Sequence, residues 1–383
     1  MAKLPLTGLR VLDLSRHFPG PYVTGALADF GASVVKIEDV ELGDPTRMVA
    51  PPVPDGEDAA LHAWLNRGKQ SIALNLKTKD AVAIVKALAA KCDVLIESFR
   101  PGVMERLGLD QRRLRRVAPR VLYVSLSGYG ADGPRAGHAT HDLNVVGETG
   151  LMDGRASVGP GLIADTAAGL LALVAILARL QGRGRRDYKG GTLDLSILDG
   201  GLALTAPSLV RVLASPGQNH DELWGGHACY RTYECADGRF MTVASLEPRF
   251  WKTVCDTLGF PDHAKAQWSR RAQPQACADF EGAFRTKTQS DWVAVFEPLN
   301  VCVTPVQTLS EVLVDPQVRA RSAFAKLGTP NGEFMAPSFL PQISGTKKRK
   351  RAPRHGEHTG VVLSGLGYSK ARVQELRATG VIQ

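Results

Sequence analysis

Over the first 130 residues, short apolar runs of strand length alternate with segments of helical spacing. Leu9 to Leu14 reads as a buried strand, and Ser33 to Ile37 as a second. Between them Pro19-Gly20-Pro21 turns the chain into a helix near Tyr22 to Phe30, with Pro21 suited to its first turn. Ser71 to Leu76 gives a third strand, Lys79 to Ala90 a helix, Asp93 to Glu97 a fourth strand and Val121 to Leu126 a fifth. Apolar strands separated by helices predict a parallel sheet covered on both faces. Residues 161 to 215 read as helices joined by a basic turn, Gly182 to Gly191. From about 225 the texture changes. Tyr230 to Cys235 and Arg239 to Ala244 read as a hairpin around Ala236-Asp237-Gly238, and helical segments follow to about 300. Pro- and Lys-rich sequence from 328 to 354 reads as a connection, and 358 to 380 as a final helical stretch. The expected organisation is α/β. A large doubly wound, Rossmann-like domain spans 1–215 and is completed by 340–383; a smaller α+β domain spans 225–325, with linkers at 216–224 and 326–339.

A parallel sheet raises the question of a dinucleotide. The first turn lacks G-x-G-x-x-G, without which a pyrophosphate cannot approach the backbone closely, and Asp39 reads as a solvated strand end. NAD is therefore excluded. A length of 383 residues with 44% hydrophobic content fits about two globular domains. The net charge of +9 favours a polyanionic ligand. Basic clusters at Arg112–Arg116, Arg183–Lys189 and Lys347–Arg354 adjoin apolar segments and read as solvated loops. The run Lys347 to Arg351 comes with no recognition motif, so no nucleic-acid partner is expected. Six cysteines form no C-x-x-C pair and no zinc spacing, so no metal is expected. They suit a reducing compartment, and the chain opens on no signal peptide, so a cytoplasmic location is expected. The most apolar run, Ala167 to Ala178, is too short to span a bilayer, and no membrane partner is expected.

The candidate chemistry centres on Asp165, which precedes a long Ala/Leu/Val helix where an N-cap belongs. His141 lies upstream in His141-Asp142-Leu143-Asn144, and Glu247 far downstream before Pro248. Each alone has a plain structural reading: a cap, a satisfied histidine, a surface turn. Together they are the parts needed to take a proton from one face of a carbon and return it to the other.

Ten stretches in order resemble one superfamily, the class III CoA-transferases and α-methylacyl-CoA racemases. They run from "GLRVLDLS" through "PGPYVTGALADFGASVVKIE", "GDPTR", "NRGKQSIALNLK", "DVLIESFRPGVMERLGL", "SGYGADGP", "HDLN", "YRTYECADGRFMTVASLEPRFW" and "CVTPV" to "GEHT". The resemblance implies a large α/β domain built from both chain ends, a smaller domain from the middle, and an interlocked homodimer. It implies that Asp165 is an acid/base group in a racemase or the nucleophile in a transferase. His141 and Glu247 resemble the racemase branch, with Glu247 orienting the imidazole and Asp165 serving the opposite face. Backbone N–H groups at the helix start after Asp165 are then expected to hold the enolate oxygen. The opposing pulls on Asp165 are the helix terminus, which favours its charge, and a dry pocket, which disfavours it. Departures from the racemase pattern are Val145 in place of Tyr, and Thr166-Ala167-Ala168-Gly169 in place of Phe-Gly-Gly-Gly; "GDPTR" and "NRGK" resemble transferases. The implied activity is racemisation of a 2-methyl-branched acyl-CoA, with CoA transfer through an aspartyl-acyl anhydride as the alternative. Coenzyme A enters as part of the substrate, with no other catalytic cofactor. Arg100 and Lys36 match family positions at its phosphates; Arg47, Arg67 and Lys69 are further cationic candidates, and Asp142 a further contact.

Overall fold

The computed structural model describes residues 4–54, 58–153, 159, 161–217, 221–330, 332–338 and 350–383. Lys347 to Arg349 of the basic run lie outside the described residues. The chain divides into two compact units, Met1–Ala206 with Ala320–Gln383, and Pro207–Arg319.

The first unit runs β1 (Arg10–Leu14), α1 (Pro19–Asp29), β2 (Ser33–Glu38), α2 (Ala60–Leu65), β3 (Gln70–Ala73), α3 (Lys79–Ala89), β4 (Val94–Glu97), α4 (Val103–Arg106), α5 (Gln111–Val117), β5 (Leu122–Ser127), α6 (Asp142–Glu148), α7 (Ile163–Leu180), β6 (Gly191–Ser196) and α8 (Ile197–Ala214), within which the division falls. Its six strands are all parallel in the order β3-β2-β1-β4-β5-β6. Alternation along each strand sends side chains to opposite faces. Leu12, Leu14, Leu95 and Tyr123 pack with Ile84, Val85 and Leu88 of α3. Val11, Val94, Ile96, Leu122 and Val124 pack with Val23 and Leu27 of α1 and with Ala172, Leu173 and Ile176 of α7. With both faces covered, these strands read as continuous apolar runs.

The strand order reverses between β1 and β4, and this topology fixes where a ligand site belongs. Chain connections leave those two strands in opposite directions, opening a crevice at their carboxyl ends. The turns after β1 and β4 flank it.

The basic turn within 161–215 gives way to β6, which the all-helical reading of that stretch missed. Gly191-Thr192-Leu193-Asp194-Leu195-Ser196 alternates with period two, as an edge strand paired only to β5 requires. Gly200 then lets α8 approach the first turn of α7, since a Cβ there would meet Ala168 N at 2.5 Å and Ala164 O at 2.6 Å. Helices α7 and α8 are each 18 residues, long and apolar enough to cross a membrane by length and composition, a length the run Ala167 to Ala178 understated. In this fold α7 buries Ala164, Ala168, Ala172, Ile176 and Leu180 along one stripe, as a core helix does.

The second unit holds the expected hairpin, β7 (Tyr230–Glu234) and β8 (Phe240–Ala244), followed by α9 (Pro248–Leu258), α10 (Gln273–Phe284), α11 (Gln289–Phe296), β9 (Val303–Pro305), which pairs with β8, α12 (Leu309–Val312) and α13 (Pro316–Ala320). Its core is aromatic: Tyr233, Trp251, Phe280, Phe284, Trp292 and Phe296. The chain then forms β10 (Phe324–Gly328) and β11 (Glu333–Pro337), α14 (Thr359–Gly365) and α15 (Lys370–Ala378). The stretch 326–339 is thus not a plain linker. There β10 and β11 pair as an antiparallel hairpin, with Leu327 opposite Phe334 and Lys326 opposite Met335. In the other expected linker, Asp221–Leu223 forms a single 3₁₀ turn.

Candidate active site

A cavity of about 440 Å³ opens at the crevice that the strand order creates. Arg16, His17 and Pro19 line it from the turn after β1; Ser98, Phe99, Arg100 and Pro101 line it from the turn after β4. Ser127 and Gly128 reach it from the end of β5, Ala136 to His141 from the approach to α6, and Asp165 from α7. Asp165, His141 and Arg100 therefore share one cavity, built wholly from the first unit.

Asp165 is not the N-cap. Leu162 holds that place and Asp165 is the third residue of α7. Its side chain is 8% exposed, and Oδ1 has no hydrogen-bond partner among the described residues. Burial pushes its carboxyl up to about 7, and the negative charge of Asp142 adds to the rise.

The His-Asp-Leu-Asn motif has a clear division of labour. His141 sits at the N-cap of α6, where its N–H donates to Asn144 Oδ1 at 3.1 Å. Asp142 is 7% exposed and accepts the backbone N–H of Asp165 at 2.9 Å. Asp142 therefore positions Asp165. The same bond engages the Asp165 N–H, and of the N–H groups after Asp165 that were expected to hold the enolate oxygen, that of Thr166 is taken by Leu162 O at 2.9 Å. Substituting Asp142→Asn removes the adjacent charge while keeping an oxygen acceptor. The Asp165 pKa is then expected to fall, moving the acid limb of the kcat/KM profile to lower pH. An unmoved limb would show that Asp142 does not tune the carboxyl.

Glu247 lies in the second unit, exposed at the N-cap of α9. The cavity of the first unit is formed without it.

Four of the five proposed phosphate cations, Lys36, Arg47, Arg67 and Lys69, are paired with carboxylates within the first unit. Lys36 is 0% exposed; its Nζ pairs with Asp44 at 2.8 Å and donates to Ser15 O at 2.8 Å. Lys69 is equally enclosed, bonding Asp13 Oδ2, Pro21 O and Asn66 Oδ1. Arg47 grips Glu38 through two 2.8 Å bonds, and Arg67 chelates Asp29. "GDPTR" and "NRGK" are hence clamps: Asp44 also caps Thr46, and Asn66 holds Lys69. The buried ammonium groups of Lys36 and Lys69 need such partners.

Arg100 remains exposed on the cavity rim, with no carboxylate partner among the described residues. A second hollow of about 590 Å³ lies along Leu76, Lys77, Thr78, Lys79, Lys86, Arg106 and Leu107. Sequence reading passed over its cations. The available signal was position: Lys77 and Lys79 follow β3, and Arg106 follows β4, at the carboxyl ends of parallel strands. His17 was passed over as well.

Comparison with known proteins bears on what this arrangement does. The chain is 33% identical over 392 residues to alpha-methylacyl-CoA racemase of Mus musculus, covering 99% of this chain and 97% of the relative. It is 32% identical over 400 residues to succinyl-CoA:glutarate CoA-transferase of Mus musculus, covering 99% and 90%. A solved CAIB/BAIF family protein from Brucella suis superposes with a TM-score of 0.81 at 29% identity, over 95% of this chain and 100% of that one. The pattern of CoA-transferase family III matches residues 6–359, and the chain belongs to that family.

Proposed function

We propose that the protein racemises 2-methyl-branched acyl-CoA thioesters. The observation that carries this reading is Asp165, a buried carboxyl brought up to about 7 in a cavity that also holds an imidazole. A proton-transfer group works best with its pKa near the working pH, because both protonation states are then available. Asp165 as carboxylate takes the α-proton; the C–H pair becomes the C=C bond of an enolate, and the carbonyl π pair moves to oxygen. Protonated His141 returns a proton to the opposite face, and the carbonyl reforms. The step moves protons only, so coenzyme A is needed as part of the substrate and no redox or metal cofactor takes part. Arg100 and the cations of the second hollow suit the phosphates of that coenzyme.

A second reading keeps the same carboxylate. The unpartnered Oδ1 of Asp165 is free to attack a thioester, giving an aspartyl-acyl anhydride and CoA transfer to another carboxylate. Incubation with (2R)-2-methylacyl-CoA in D₂O, with and without an acceptor carboxylate, separates the two. Deuterium at the α-carbon with loss of optical purity and no need of acceptor is expected. Acceptor-dependent formation of a new acyl-CoA without exchange would replace the racemase by a transferase.

The reading includes a homodimer. Leu170, Leu171 and Val174 of α7 and Leu202 and Leu204 of α8 are exposed, an apolar face suited to a second copy of the chain. Light scattering is expected to give twice the 41.1 kDa chain mass. A monomer at micromolar concentration would remove the dimer from the proposal.

A further inference from the structure

The cavity contains an imidazole that the proton-transfer scheme leaves unused. His17 holds φ +64°, the left-handed region that only a few per cent of non-glycine residues adopt, with His, Asn and Asp the commonest among them. Such strain persists only where the surroundings fix it, and it concentrates at functional sites. Here the surroundings are explicit. Asp13 Oδ1 accepts from Ser15 N at 2.9 Å and Ser15 Oγ at 2.5 Å, and Lys36 Nζ donates to Ser15 O at 2.8 Å. Arg16 N donates to Ser98 Oγ at 2.8 Å, which ties the turn after β1 to the turn after β4. Phe18, on the other side, is buried. The buried charges of Asp13 and Lys36 thus serve a purpose: they set the turn that presents His17 to the crevice.

The His17 ring stands edge-on to His141, with centroids 6.2 Å apart and planes 82° apart. Burial disfavours its charged form. Asp44 opposes that effect, while the charges of His141, Arg16 and Lys36 reinforce it, and the net shift is downward from 6.5. A neutral imidazole at pH 7 carries one N–H donor.

A donor of that kind was expected at the start of α7. Any reaction at the acyl-CoA α-carbon or carbonyl places negative charge on the thioester oxygen, which needs preorganised donors. At the start of α7 the Asp165 and Thr166 N–H groups are spent on Asp142 and Leu162. His141 is engaged in proton transfer.

We propose that His17 is a catalytic residue, the oxyanion donor of this site: its ring N–H bonds the thioester carbonyl oxygen and holds the charge that develops there. It keeps its own proton throughout. The C–H bond breaks toward Asp165, charge reaches the oxygen, and it returns when the α-carbon is reprotonated. The inference rests on the acyl-CoA reading but not on its racemase branch, because attack by Asp165 on the thioester raises charge on the same oxygen.

The test compares His17→Asn, which tolerates the left-handed backbone but is too short, with His17→Gln, which restores a neutral N–H farther out. In D₂O exchange of 2-methylacyl-CoA, His17→Asn is expected to lower kcat by roughly 10²–10³-fold with KM little changed. His17→Gln is expected to recover most of the loss. With substrate labelled ¹³C at the carbonyl, difference infrared spectra of the bound thioester are expected to show a lowered C=O stretch in the wild type and a return toward the solution value in His17→Asn. An Asn variant within threefold of wild type, or a carbonyl band that does not move, overturns the proposal. So does loss of exchange from one epimer alone without rescue by Gln, the mark of a proton carrier. A wild type that transfers acyl groups without exchange removes the racemase reading, and the same variants are then judged on the transfer rate. If acyl-CoA binds without turning over, the infrared band decides; if it does not bind, both readings fall.

Discussion

Asp165→Asn is expected to lose roughly 10²–10⁴-fold in turnover and, above pH 7, to unfold at a higher temperature than the wild type. The two effects share one cause. The carboxyl is 8% exposed with one oxygen unpartnered among the described residues, and burial brings it from 3.8 up to about 7. In the native state it holds a proton that the unfolded chain releases near pH 4. Between those values the folded state binds more protons, so this group makes stability fall as pH rises. Below pH 4 both states are protonated and the contribution vanishes. Above pH 7 it reaches its full size, with roughly 4 kcal/mol as the upper limit for a shift of about three pKa units. The amide removes that cost and keeps the volume. Thermal unfolding of both proteins from pH 4 to pH 8 is the check: the gap in Tm is expected to open with pH. A gap of the same size at both ends would mean that the carboxyl is not raised in the folded protein. Function at this position therefore works against stability, as a tuned catalytic group in a dry cavity requires.

How much of this was legible beforehand depended on the kind of signal. The β1, β2, β4 and β5 strands were readable because both faces of the sheet are covered, leaving unbroken apolar runs. The hairpin was readable because Asp237-Gly238 supplies a turn, with Gly238 at φ +73°. β6 was not, because an edge strand with Asp194 among its residues shows only period-two alternation between two apolar helices. At the site, Asp165, His141 and Arg100 were identified by motif, and the cavity brings them together. Charge was the less legible signal. Lys36 within β2 and Arg47, Arg67 and Lys69 between β2 and β3 read as phosphate candidates, and sequence does not reveal that Asp13, Asp44, Glu38 and Asp29 converge on them. Those acids are dispersed from Asp13 to Asp44 and meet only when the parallel strands align. His17 was invisible for a related reason: nothing in "SRHFPG" announces a left-handed backbone or the ring of His141.

The distinction between structural and ligand-facing cations leads to the second large expected effect. Lys36→Met is expected to destabilise the fold by about 3–5 kcal/mol, because it leaves Asp44 buried without its cation. It also removes the donor to Ser15 O, and with it one anchor of the turn that carries His17. Burial pulls the Lys36 ammonium down, but Asp13, Asp44 and Glu38 together outweigh that and hold it charged. The pair is therefore ionised in the native state, and its loss cannot be relieved by a simple proton shift on lysine. Arg100→Ala is the contrasting change. Its side chain is exposed at the cavity rim, so unfolding is expected to stay within about 0.5 kcal/mol of wild type. The KM for acyl-CoA is expected to rise roughly tenfold, the loss of one charge-assisted phosphate contact. Denaturant unfolding and steady-state kinetics on both variants separate the roles. If Lys36→Met unfolds like the wild type and instead raises KM, its ammonium reaches the cofactor and the buried network is not its function. If Arg100→Ala leaves KM unchanged, the phosphates are gripped elsewhere, and Lys77, Lys79 and Arg106 in the second hollow become the residues to change next.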